Sequence, residues 1–304
     1  MYEWNDTQRM MRDMVRQFVE REIKPNVEAL EHGDMPPYPI VRKLIQTFGM
    51  DAMARERFKR EIEREEALAR GEERPAKEAK GSSNPLAAEA AAMTMIPIIE
   101  LCRYCPGMVT AMGVSMGLTG QAIMTKGTIE QKKRWALDVL TFDKVGAWAI
   151  TEPESGSDAF GAMKATARKD GDEYVLNGNK TFITNGPYAD TIVFICKLDE
   201  GNPPEERKVV TFVLDKGMPG LVQSKPMRKM GLHSSPTGEL FLEDVRAGED
   251  RLLGGPNVNA KESREGAKAT FTMERSGVAA MALGIIEQCL DLCTKYAKER
   301  KSFG

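Results

Sequence analysis

The stretch Ala147-Trp-Ala-Ile-Thr-Glu-Pro-Glu-Ser-Gly-Ser-Asp158 gathers the residues best suited to hold a ligand. An apolar run from Val145 to Ile150 stops at a turn of small or hydrogen-bonding residues: Thr151, Ser155, Gly156, Ser157 and Asp158. Pro153 fixes one φ angle and removes a donor, while Gly156 lets backbone come close to whatever docks there. Such a turn offers N–H groups and short hydroxyls to an acceptor-rich ligand, for example a flavin ring edge or a pyrophosphate. The plain alternative is an ordinary strand-to-loop turn. A second candidate is Glu274, an acid at the head of an apolar stripe formed by Val278, Met281, Ile285, Cys289, Leu292 and Tyr296. A carboxylate in apolar surroundings is a stronger base and suits proton abstraction. The alternative for Glu274 is a buried acid paired with Arg275 or another cation.

Two other patterns could do chemistry. Gly113-Val-Ser-Met-Gly117 has the form of a nucleophile elbow, which would make Ser115 the nucleophile of a serine hydrolase. That chemistry needs a strand, a sharp turn and a helix, with an acid and then a histidine downstream. Here the surroundings read as helical, and His233 is the only histidine that follows. Among the five cysteines, Cys102 and Cys105 have the spacing of a zinc half-site or redox pair, and Cys289 and Cys293 lie one helical turn apart. No further ligands are spaced to match, so no metal site is expected and the thiols read as reduced core residues.

The elements that must position these residues follow from hydrophobic period. Thr7 to about Leu30 reads as an amphipathic helix capped by Asp6 or Thr7, and Ile40–Phe48 as a second. Arg55–Lys80 is dense in charges of both signs and reads as a solvated helix laced with i,i+4 pairs, followed by a flexible tail through Pro85. A docking arm for a partner is the sharper alternative for that stretch. Helix returns over Ala87–Leu101, Val109–Lys126 and from Gly127 onward. From Lys164 to Val245 the period switches to two, in short β-rich runs split by Gly, Pro, Asp or Asn. Within them Gly171–Gly186 reads as a hairpin and a second strand. Strands in series without helices between them predict a compact antiparallel β-domain. After Gly254-Gly-Pro-Asn257 the period returns to 3.6, with Gly277 and Gly284 permitting close helix packing.

The 304 residues can bury more than one core. A formal charge of −2 and a pI near 6.0 advertise no nucleic-acid or membrane-surface partner. No run of eighteen apolar residues predicts membrane insertion. The start, Met1-Tyr-Glu-Trp-Asn-Asp, lacks the basic and apolar regions of a signal peptide. The expected compartment is a bacterial-type cytoplasm, or a mitochondrial matrix if a presequence was removed.

Thr151-Glu-Pro-x-Ser-Gly-Ser-Asp158 and Asn177-Gly-x-Lys-x-Phe-Ile-Thr-Asn185, in this order and spacing, closely resemble the acyl-CoA dehydrogenase family of FAD-dependent enzymes. Supporting stretches are Gly127-Thr-Ile-Glu-Gln-Lys132, Met230–Val245 and Arg300-Lys-Ser-Phe-Gly304. The resemblance runs from about Gly113 to Gly304 and implies an α+β fold. It would comprise an N-terminal helical domain over 1–145 with a charged insertion at about 55–85, a middle antiparallel β-domain over 146–248, and the start of a C-terminal helical domain over 249–304. Relatives continue for several helices beyond the counterpart of Gly304, so the chain is expected to lack them.

The activity implied is α,β-dehydrogenation of an acyl-CoA thioester, with electrons passing through FAD to an electron-transfer flavoprotein, in a homodimer or homotetramer. Carried over position by position, Trp148, Ile150, Thr151, Gly156, Ser157, Phe182, Ile183 and Thr184 would contact FAD. Arg300, with Ser302 and Phe303 beside it, would reach the cofactor of a neighbouring subunit. Ser157, Thr272 and Arg275 would lie along the CoA, and Glu274 aligns with the catalytic base of isovaleryl- and long-chain-type branches. Most other branches place the base on a later helix, beyond residue 304. Two departures stand out: Phe182 replaces a frequent Trp, and Glu154 a small residue. A different class of function fits the same residues, a catalytically silent partner subunit that keeps the fold while another chain supplies the base.

Overall fold

The computed structural model describes residues 4–72, 85–256 and 260–303, with backbone alone over 85–92, 260–274 and 276. The first layer is helical. α1 (Asp6–Phe18) starts from Asn5, whose side chain accepts the Gln8 N–H at 2.9 Å while Gln8 Oε1 accepts the Asn5 N–H at 3.0 Å. This capping box corrects the expected cap at Asp6 or Thr7, because only Asn5 stands three residues before a glutamine. The single helix expected to Leu30 also changes pitch. It passes through a π-helical turn (Val19–Ile23) and a 3-10 turn holding Pro25 (Lys24–Asn26) before α2 (Val27–Glu31), since proline supplies no N–H.

α3 (Tyr38–Thr47), α4 (Met50–Ala69), α5 (Pro85–Cys102) and α6 (Pro106–Met112) follow. A π-helical stretch (Gly113–Gly120) leads on to α7 (Gln121–Lys126). A second capping box, Thr128 with Gln131, opens α8 (Ile129–Gln131), and α9 (Leu137–Leu140) closes the layer. Phe18, Ile23, Leu30, Val41, Ile45, Leu101, Met108 and Phe142 share its core.

α4 carries the charge-dense stretch as far as residue 69; residues 73–84 lie outside the described ones. It has the expected i,i+4 pairs, such as Arg60–Glu56 at 3.7 Å. It is not merely solvated, however. Phe58 and Ile62 are buried against Ala122, Ile123 and Trp135, and Glu65 reaches the Lys132 ammonium at 2.7 Å.

Among the described residues seven strands form one sheet: β1 (Gly146–Ala149), β2 (Thr166–Asp170), β3 (Glu173–Thr184), β4 (Thr191–Asp199), β5 (Val209–Asp215), β6 (Leu221–Gln223) and β7 (Thr237–Gly248). Their order is β1-β4-β2-β3-β7-β6, with β5 on the other edge of β4. The expected antiparallel domain is therefore corrected to a mixed one. β4 is long enough to take β1 along Thr191–Phe194 and then β2 along Lys197–Asp199, both parallel to it. The remaining pairings are antiparallel. A parallel neighbour requires a long crossover, and the 150–165 loop with the β2–β3 hairpin supplies it.

The hairpin turn is Gly171, at φ +63°. Asn177-Gly178-Asn179 is no turn. β3 runs straight through it with a register shift at Leu176/Gly178, where Gly178 adopts φ +145°. Alternating residues divide β1, β4 and β5 between two cores. Ala147, Ala149, Ile192, Phe194, Phe212 and Leu214 face β3 and β7, while Trp148, Val193, Ile195 and Val213 face the helices.

α10 (Ala260–Glu299) packs on α5. Of the expected apolar stripe Met281 docks, whereas Val278, Ile285, Leu292 and Tyr296 are exposed. The docking face is Ala280, Met281 and Gly284, where a Cβ on Gly284 would come within 2.1 Å of the Ile99 carbonyl. Such close backbone approach demands small residues, and Gly277, by contrast, has open space around it. Arg103, in the turn just after α5, pairs with Glu287 at 3.2 Å and with Asp291, fixing the register. By length and composition Gly277–Glu299 is apolar enough to cross a membrane.

Candidate functional site

The two loop stretches singled out by the sequence are stitched together by a buried ion pair. Lys180 on β3 is 0% exposed and Glu152 5%. The Lys180 ammonium donates to Glu152 Oε1 at 2.8 Å and to the Ile150 carbonyl at 3.0 Å. The Glu152 carboxylate also accepts the backbone N–H groups of Lys164 at 2.6 Å and Ala165 at 3.0 Å. Burial lowers the Lys180 ammonium below the usual lysine range, against the opposing pull of Glu152. One carboxylate thus closes the whole 152–165 loop onto β3. Glu152 and Ser155 exchange two backbone hydrogen bonds of 3.1 Å, Ser155 Oγ donates to the Asp158 carbonyl at 2.9 Å, and Thr181 N–H donates to the Thr151 carbonyl at 2.9 Å. Gly156 and Ser157 remain exposed at the tip, with open space over Gly156. Glu154 pairs with Lys164, so the extra acid in the loop is neutralised locally.

Two residues further along β3, Phe182 is held at φ +56° where the β3–β7 register shifts, and it is 67% exposed. A bulky residue in the left-handed region costs about 1–2 kcal/mol. Here the sheet on both sides imposes that conformation and presents an aromatic face to solvent beside Thr151. Thr184 is half-buried, and Ile183, 2% exposed, points its side chain into the sheet core, leaving its backbone for any ligand. Trp148 and Ile150 direct their side chains into the helix-facing core. The chemistry at this face fits a flat, acceptor-rich ring: an aromatic platform, short hydroxyls and a rigid loop with an open tip.

Asn185 is a participant that sequence reasoning missed. At φ +64° and fully buried, its amide donates to the Ala111 and Gly146 carbonyls, each at 2.9 Å, and accepts from Tyr38 OH at 3.1 Å. It fastens α3 and α6 to the start of β1. Its place at the end of Phe-Ile-Thr-Asn, before a glycine, was the available signal.

The remaining candidates are placed as follows. Glu274 and Thr272 lie within α10, with side chains outside the described residues, and Arg275 beside them is exposed. Arg300, Ser302 and Phe303 are exposed, and among the described residues no hydrogen bond or ion pair joins them to the loop or to β3. Ser115 is no elbow nucleophile. It is buried in the π-helical stretch, where its Oγ accepts the Gly146 N–H at 2.8 Å, and both ring nitrogens of His233 face backbone carbonyls, of Glu31 and Lys229. Cys102 and Cys105 are buried, and burial pushes their thiols up to about 12 and about 11.

Family profiles described as acyl-CoA dehydrogenase N-terminal, middle and C-terminal domains match residues 5–57 with 75–143, 147–245 and 265–304. The chain belongs to the acyl-CoA dehydrogenase family. A 3-(aryl)acrylate reductase of Clostridium sporogenes is 32% identical over 97% of this chain and 69% of its own length. The mouse mitochondrial short-chain specific acyl-CoA dehydrogenase is 32% identical over 98% of this chain, which covers 65% of that protein. The butyryl-CoA dehydrogenase structure from Megasphaera elsdenii superposes with a TM-score of 0.76 at 27% identity, covering 100% of this chain and 72% of that one. The chain therefore spans roughly two-thirds of the length of such relatives. The N-terminal profile passes over residues 58–74, which include the charged end of α4.

Proposed function

We propose that this chain binds FAD across Trp148–Ser157 and Phe182–Thr184 and takes part in the α,β-dehydrogenation of an acyl-CoA thioester. The observation that carries this reading is Phe182, an exposed aromatic held in a strained backbone beside the loop that Lys180 and Glu152 rigidify. Bound FAD would supply the two-electron acceptor for the hydride leaving the β-carbon. The residues of this chain supply the rest. The exposed tip at Gly156 and Ser157 leaves N–H and hydroxyl donors free for ligand acceptors, and Thr151 is fixed by its carbonyl's bond to Thr181. Glu274 would take the α-proton onto its carboxylate, and Thr272 and Arg275 would line the thioester's CoA portion. Arg300 would serve a second copy's cofactor in a homodimer or homotetramer, with an electron-transfer flavoprotein receiving the electrons.

The test is single-turnover bleaching of the flavin by a panel of acyl-CoAs. Glu274→Gln should leave FAD and thioester binding intact and slow bleaching by roughly 10²–10⁴-fold, as expected for loss of a general base. Bleaching at near wild-type rate would remove Glu274 from the mechanism. A yellow protein that no thioester bleaches would instead identify a silent partner subunit.

A further inference from the structure

Away from the flavin-facing loop, a cavity of about 510 Å³ opens between α4 and the helical run Gly113–Lys126. That size lies within the roughly 300–1,000 Å³ of small-molecule sites. Four methionines line it, Met50 and Met53 from α4 and Met116 and Met124 from the opposite wall, with Phe58 and Leu140 completing an apolar interior. Methionine side chains are unbranched and polarizable, so such a wall adapts to a flexible chain better than to a rigid ring. Part of the wall, from Phe58 onward, belongs to the segment that the family profile passes over.

The charges at its edge are unequal. Both Glu65 oxygens are taken up by the Lys132 ammonium at 2.7 Å, and Glu61 is paired with Arg64 at 3.2 Å. Arg57, also on the lining, has no ion pair among the described residues. The acids are thus compensated and one guanidinium is left over, at the mouth of an apolar, methionine-lined space. From this complementarity we infer that the cavity binds a single-chain aliphatic carboxylate, a free fatty acid, with the chain between α4 and the Met116–Met124 wall and the head group on Arg57. The inference goes beyond the dehydrogenase reading and uses none of its residues.

Calorimetric titration of the protein with dodecanoate and with dodecanol, each kept monomeric, tests it. Dodecanoate should bind at one site about fivefold more tightly than dodecanol, the size expected for one exposed charge pair. Arg57→Gln, a change at an exposed position, should erase that preference while leaving dodecanol binding unchanged. Ala54→Trp, which fills the space between the helices, should weaken both ligands at least tenfold with the circular dichroism spectrum unaltered. Absence of dodecanoate binding, or a preference for the acid that survives Arg57→Gln, would overturn the proposal. So would wild-type affinity in a folded Ala54→Trp protein. Flavin bleaching by acyl-CoA is read separately, so failure here leaves the dehydrogenase reading standing.

Discussion

Lys180 is the side chain on which the 152–165 loop depends. Its ammonium has no solvent, so removing it leaves the Glu152 carboxylate buried with only two backbone donors. Breaking one partner of such a pair typically costs about 3–5 kcal/mol, whereas removing both charges costs much less. Lys180→Met should therefore lose about that much stability in urea titration, and Lys180→Met combined with Glu152→Gln should regain a large part of it. Equal loss in the single and double variants would show that the pair is not the lock on the loop. Phe182 makes the opposite trade. Asparagine tolerates the left-handed region, and the exposed ring buries little apolar area, so Phe182→Asn should raise stability by up to about 1 kcal/mol. The same change should lower the flavin content of the purified protein, because the aromatic platform is gone. Undiminished flavin content would take Phe182 out of the site.

At the scale of elements, the sequence was most informative where period and turn chemistry agree. The β-rich runs, the helices flanking them and the loop from Thr151 to Asp158 could all be read from it. Three features could not. The reading of Gly171–Gly186 as a hairpin and a second strand left Gly178 without a role, yet β3 runs through it and the absence of a Cβ there makes room for Ala165 across the strand. A Cβ there would lie 2.6 Å from the Ala165 Cβ. Gly178→Ala should accordingly cost roughly 1–3 kcal/mol by overpacking and loosen the Ala165 N–H that Glu152 accepts. A thermal melt unchanged from wild type would contradict that account. The parallel placement of β1 and β2 on β4 is invisible locally, since pairing partners thirty or more residues apart leave no periodic trace. The full docking face of α10 was hidden for a related reason: Gly284 makes the close approach to α5 that its missing side chain allows and Met281 packs beside it, but an apolar stripe announces burial only somewhere, and Val278, Ile285, Leu292 and Tyr296 stay exposed.

At the scale of the whole molecule, the helical layer and the sheet meet through two kinds of joint. One is apolar, with Trp135, Ile123 and Phe58 packed on Trp148, Val193 and Val213. It is pinned at its edge by the Trp135 indole donating to Asp215 at 2.9 Å and by Arg251 on the same carboxylate at 2.8 Å. The other is polar: beside bonds such as the Gly146 N–H to Ser115 Oγ, it rests on the Asn185 amide, whose three bonds reach Ala111, Gly146 and Tyr38. Because these bonds belong to both layers at once, local opening of either must break them. The wall at Ala111 and the strand that starts at Gly146 are then one cooperative unit, and their amides should exchange with deuterium at a common rate. In Asn185→Ala that shared protection should split, with the helical wall exchanging ahead of the sheet. Ligand held at one layer in the wild-type protein would slow breathing in the other.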